Sequence, residues 1–199
     1  MIEERNTNPD FAFLSACLDG DHAYKYDCVR IQENGENIRP DFNMYDYAIG
    51  FHYIDFEDRY IRMPLYYFYQ DDYQKAVKKH TLPVSIDNKK FCNFVYSNGN
   101  TADPIRERFF DELSKYKTVD SGGRYRNNVG GPVENKYEFQ KGYKFSIAFE
   151  NASVNGYTTE KIIQAFAAGT IPIYYGSPKI ADEFNEKAFI NCHKYSSLE

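Results

Sequence analysis

Tryptophan is absent from this 199-residue sequence, and histidine and cysteine occur only four times each. The cysteines Cys17, Cys28, Cys92 and Cys192 are scattered and form no Cys-x-x-Cys pair. That spacing excludes a zinc knuckle, and the density is too low for a disulfide scaffold, so they read as reduced thiols of a cytoplasmic protein. No stretch approaches the roughly 18 consecutive apolar residues of a membrane-spanning helix, and the opening "MIEERNTNPDF" is polar where a secretory signal is apolar. Positive charge is not in excess either. The 24 Lys and Arg against 29 Asp and Glu leave a net charge of −5, which argues against a nucleic-acid partner. Internal repeats and low-complexity tracts are also missing.

Tyrosine and phenylalanine are abundant, 19 and 16 residues, and bring the aromatic share to 18%. Much of this suits a tyrosine-rich core surface. Tyrosine also lines wet clefts while its ring stays packed, which fits carbohydrate or nucleotide binding.

Short apolar runs at 11–18, 26–31 and 45–51 read as strands, with a turn-rich segment "QENGENIRPDFN" between the second and third. A strand near Pro64, an exposed helix over 73–80 and a linker follow. A second unit then alternates strand and helix. "KFCNFVYSN" (90–98) is a strand. "DPIRERFFDELSKY" (103–116) is an amphipathic helix capped by Asp103, with Ile105, Phe109, Phe110 and Leu113 on one face. A glycine-rich loop, a short helix and the strand "KFSIAFEN" come next. This order predicts an α/β fold with parallel strands and right-handed crossovers. Ligands then bind at the carboxyl ends of the strands, where "SN", "FEN" and "YGSP" fall. Residues 1–84 and 85–199 are the two expected units.

The richest stretch is "FENASVNGYTTEKIIQAFAAGTIPIYYGSP" (149–178). Thr158 or Thr159 supplies the N-cap of a buried helix, and Gly169 ends it in the left-handed conformation. Glu160 complements the helix dipole, whereas Lys161 opposes it, so helix stability does not explain the lysine. A lysine beside free backbone N–H groups does suit a phosphate. The pair reads as a nucleotide-sugar grip, acid to ribose and base to phosphate, and Arg106 is a second cation from a neighbouring strand-end loop.

The segment "YKFSIAFENASVNGYTTEKIIQAFAAGTIPIYYGSP", together with "DFNMYDYAIGF", "DRYIRMPLYY", "PIRERFFDEL" and "GGRYRNNVG" in the same order, resembles the inverting α1,3/4-fucosyltransferases, especially the bacterial ones. The likeness covers most of residues 30–193. It implies two Rossmann-like lobes of the GT-B type, both incomplete here, with the donor held by the C-terminal lobe. It implies transfer of fucose from GDP-fucose, with inversion and without a metal, to a hydroxyl (O3) of N-acetylglucosamine in an acceptor such as N-acetyllactosamine. Carried over residue by residue, the donor site is Arg106, Asn151, Tyr157, Glu160 and Lys161. Inversion also needs a carboxylate to take the acceptor's proton. Glu36 in "NGENIRP" matches the family's proposed base, with Glu33 as its rival. The resemblance also implies a chain truncated at both ends, cytoplasmic and, at full length, peripheral to a membrane. Ala152 replaces the serine often found after F-E-N. Two other readings stand beside this one: a non-catalytic nucleotide-sugar binding module, and a metal-dependent glycosyltransferase using "DGD" at Asp19–Asp21.

Overall fold

The computed structural model describes residues 9–15, 20–78 and 86–197. Cys17, Asp19 and the side chain of Asp21 lie outside the described residues. The chain divides between Pro64 and Leu65 into two units, where the sequence suggested a boundary after residue 84.

In the first unit, β1 (Phe11–Ser15), β2 (Val29–Glu33), β3 (Tyr47–Gly50) and β4 (Tyr60–Arg62) form a parallel sheet in sequence order. Alternation decides its faces. Leu14, Ala48 and Tyr60 point to a packed side, where Leu14 meets Ala23 and Tyr45. Phe11, Phe13, Val29, Tyr47 and Ile61 share the opposite side in register and are all exposed. The expected strand around Pro64 is only three residues long. It stops at Arg62, and a 3-10 turn at Leu65–Phe68 follows.

The second unit opens with that turn and continues with α1 (Gln70–Val77), which starts earlier than the helix read at 73–80. None of its residues is buried, yet it packs along a later helix of the same unit. Then come β5 (Lys90–Phe94), α2 (Ile105–Tyr116), β6 (Val119–Ser121), α3 (Lys136–Lys141), β7 (Tyr143–Phe149), α4 (Glu160–Ala167), β8 (Ile171–Tyr175) and β9 (Ile190–Asn191). The strands run parallel in the order β6-β5-β7-β8-β9.

The two faces of this sheet carry different helices. Phe94, Val119, Ile147, Phe149 and Ile173 pack with Phe110 of α2. Ala148 and Tyr174 pack with Ile162 and Ile163 of α4, and each buried isoleucine contributes about 1.5–3 kcal/mol. The chain leaving β5 therefore goes to one face and the chain leaving β7 to the other. Between these two adjacent strands lies the topological switch point, where a parallel sheet opens a crevice at its carboxyl end. Gly169, at φ +66°, terminates α4 as expected, with its N–H donated to the Phe166 carbonyl at 2.9 Å.

Candidate functional site

At this switch point the structure pairs Arg106 with Asn151, and at the start of α4 it sets Lys161 beside Glu160. Arg106 is the second residue of α2 and only 2% exposed. Its Nη1 donates to Asn151 Oδ1 at 2.9 Å and its Nη2 to the Asn98 carbonyl at 2.6 Å. Its guanidinium carbon lies 4.2 Å from the centroid of the Tyr96 ring. These bonds use two of the five N–H donors of an arginine. Asn151 ties the loops together a second time, since its carbonyl accepts the Asp103 N–H at 2.8 Å. Tyr96 clamps the same strand end from within. Its hydroxyl accepts the Phe149 N–H at 2.7 Å and reaches the carbonyls of Phe149 and Ile147 at 3.0 and 3.1 Å.

Lys161 is held by neighbouring side chains. Its ammonium donates to Glu150 Oε2 at 3.1 Å and to Thr159 Oγ1 at 2.8 Å, and it lies 3.8 Å from Glu160. Glu150, the acid of F-E-N, has no exposed surface. It also accepts the Thr159 N–H and hydroxyl, each at 2.7 Å. Thr159 holds the N-cap position of α4, but its hydroxyl serves this carboxylate and makes no cap bond. Burial leaves the Glu150 carboxyl above its ordinary range, although Lys161 and the Thr159 donors pull the other way. Burial opposes the charge on Lys161, but Glu150 and Glu160 outweigh it and raise its pKa. The ammonium is therefore a fixed charge at neutral pH.

Glu160 opens α4 and is mostly buried on its side chain. Burial pushes its carboxyl up. Lys161 and then Lys136 reverse this, so that its pKa falls below the usual carboxylate value. Tyr157 is 1% exposed in the loop between β7 and α4, its N–H donated to the Val154 carbonyl at 3.0 Å. Glu36 belongs to the first unit. It is exposed in the loop after β2, which is held from below by Asn34 Nδ2 to the Ile38 carbonyl at 3.2 Å and by the Asp41 N–H to Gln32 Oε1 at 2.9 Å.

Sequence reasoning missed Glu150, Tyr96 and Lys136. Glu150 reads as an ordinary strand-end acid. Its signal is steric and lies downstream, because a Cβ on Gly176 of "YGSP" would come within 2.4 Å of the Glu150 Cγ.

The carboxyl end of this parallel sheet thus carries an arginine bonded to Asn151 and Asn98 and a lysine held by Glu150 and Thr159 with Glu160 nearby, at the end of the sheet where such folds bind ligands. Residues 1–69 match the family described as the alpha-(1,3)-fucosyltransferase FucT N-terminal domain. Residues 85–199 match glycosyltransferase family 10 (fucosyltransferase), C-terminal part. Alpha-(1,3)-fucosyltransferase FucT of Helicobacter pylori is 40% identical over 202 residues, which cover 85% of this chain and 42% of that protein. A solved α1,3-fucosyltransferase with GDP superposes with TM-score 0.82 at 36% identity, covering 98% of this chain and 64% of the other. A second, with GDP-fucose, gives TM-score 0.74 at 32% identity over 100% of this chain and 78% of the other. The chain belongs to glycosyltransferase family 10, the fucosyltransferases. Its α/β fold with two parallel-sheet units is the GT-B type expected from the sequence. It spans about two fifths of the length of the bacterial relative, 42%.

Proposed function

We propose that this chain binds GDP-fucose in its second unit and serves an inverting, metal-independent transfer of L-fucose to O3 of N-acetylglucosamine in a glycan such as N-acetyllactosamine. The observation that carries the reading is the charge set at the β5/β7 switch point in a family 10 chain that resembles structures solved with GDP and GDP-fucose. Arg106 and Lys161 would hold the diphosphate, Glu160 would accept the ribose hydroxyls, and Asn151 and Tyr157 would complete the pocket.

The chemistry follows from these charges. The acceptor oxygen attacks the anomeric carbon, its proton passes to Glu36, and the bond from that carbon to the β-phosphate oxygen breaks with its electron pair leaving on GDP. Extra negative charge then appears on the β-phosphate. Fixed cations and the amino end of α4 stabilise such charge without reorganising. Lys161 does this as a permanent ammonium and not as a proton donor, because Glu150 and Glu160 hold its proton. Cytoplasmic location is part of the same proposal.

GDP release from GDP-fucose with N-acetyllactosamine, in the presence of EDTA, tests the reading. Turnover that Glu36→Ala abolishes is the expected result. No turnover, combined with unchanged GDP binding in Lys161→Ala, would reject it. One observation favours a second reading, a nucleotide-sugar binding module without catalysis: Arg106, Asn151, Tyr157, Glu160 and Lys161 all fall in one unit. That module binds GDP saturably and shows no turnover with or without Glu36.

A further inference from the structure

Residues 70–84 belong to neither matched family segment, yet α1 within that stretch connects to the donor site. Asp72 of α1 accepts from Gln164 Nε2 at 3.0 Å, and Gln164 Oε1 accepts from Lys136 Nζ at 2.7 Å. The direction of this chain is unambiguous. A carboxylate takes only donors, so the Gln164 nitrogen must face Asp72 and its oxygen must face Lys136. Asp72 also lies 3.9 Å from Lys75 on its own helix, and Lys75 in turn sits over the ring of Tyr137, the residue after Lys136.

Lys136 opens α3 behind the N-cap Asn135, whose side chain accepts the Glu138 N–H at 3.0 Å. A cation in a first turn opposes the helix dipole, so α3 gains nothing from it. Glu160 and Gln164 are four residues apart on α4 and share one face, the face that meets Lys136. Burial pushes the Lys136 ammonium down, and Glu160 is the strongest charge acting against that push. Lys136 is in turn the second cation, after Lys161, that holds Glu160 ionised. An ammonium has three N–H donors, and Gln164 takes one.

We infer that Asp72, Gln164 and Lys136 form a hydrogen-bonded chain that fixes an ammonium on the face of α4 that carries Glu160, the acid proposed for the donor's ribose, making α1 a working part of the donor site. This rests on the donor reading above and adds a set of positioning residues to it. Lys136 acts through Glu160 and does not hold the phosphates.

Calorimetric titration of the whole chain with GDP and with guanosine tests it. Lys136→Met should weaken both ligands by a similar factor, about tenfold. Lys136→Arg should restore most of the affinity. In a Glu160→Gln background, Lys136→Met should add less than about a twofold loss, since coupled residues are not additive. Asp72→Asn, at the accessible end of the chain, should weaken both ligands in the same direction and carries the test if Lys136→Met does not fold. The inference fails if Lys136→Met or Asp72→Asn binds GDP like the parent, if GDP weakens while guanosine does not, or if the Lys136 and Glu160 losses multiply. Absence of GDP binding in the unsubstituted chain would instead overturn the donor reading itself.

Discussion

Glu150 and Lys161 form an ion pair in which the acid has no exposed side-chain surface and the base 14%. Such a pair gains from its own attraction only when further donors satisfy the carboxylate, and Thr159 supplies two of them. Removing the charge leaves the mostly buried ammonium with Thr159 and the more distant Glu160. Glu150→Gln should therefore cost about 3 kcal/mol, read as a lower urea midpoint at unchanged m-value. A shift no larger than that of a surface substitution would remove the pair from the account. Glu160 makes a pH-dependent contribution of definite sign. Its folded pKa lies below the ordinary 4.5, so its stabilising effect is complete above that value and is lost as pH falls through the depressed one. The stability advantage of the parent over Glu160→Gln should shrink as pH drops below the ordinary carboxylate range. An advantage independent of pH would contradict the assignment. Glu160 and Lys161 were legible in the sequence because a lysine in a first helical turn breaks a local rule. Glu150 was not, because its neighbours Thr159 and Lys161 come from the next element and only the fold brings them under the strand end.

The elements around the site were legible where the pattern was long. The amphipathic period of 105–116 gave α2, and the apolar run before F-E-N gave β7. β6 and β9, three and two residues long, are too short to show a strand period. They exist because the sheet has edges for them to pair with. α1 showed only as an exposed helix, since its function depends on α4, far away in sequence. The backbone at the end of β8 is tightly constrained beside the site. A Cβ at position 176 would meet the Glu150 Cγ at 2.4 Å and the Tyr174 hydroxyl at 2.6 Å. Gly176→Ala should push the Glu150 carboxylate off Thr159 and lower both melting temperature and GDP affinity, with a stability loss of about 1–3 kcal/mol. Parent-like values on both counts would mean that Glu150 moves without consequence.

The described residues form two parallel-sheet units. The first exposes five large apolar residues on one sheet face, whereas parallel sheets ordinarily bury both. The second carries every proposed donor residue on a sheet whose two faces each hold a helix. The family boundary at residue 85 and the packing boundary at Leu65 therefore have different consequences. A chain beginning at Leu65 keeps α1, Asp72 and the face of α4 they cover, and should bind GDP like the parent. A chain beginning at residue 85 should lose stability and at least about tenfold in affinity. Equal affinity of the two would show that α1 is dispensable. The central claim is that Arg106 and Lys161 together hold a nucleoside diphosphate. Titration of GDP in EDTA against the parent, Arg106→Met and Lys161→Met tests it most directly. The account predicts saturable binding in the parent and a loss of more than about tenfold in each variant. Undiminished GDP binding by both variants would contradict it.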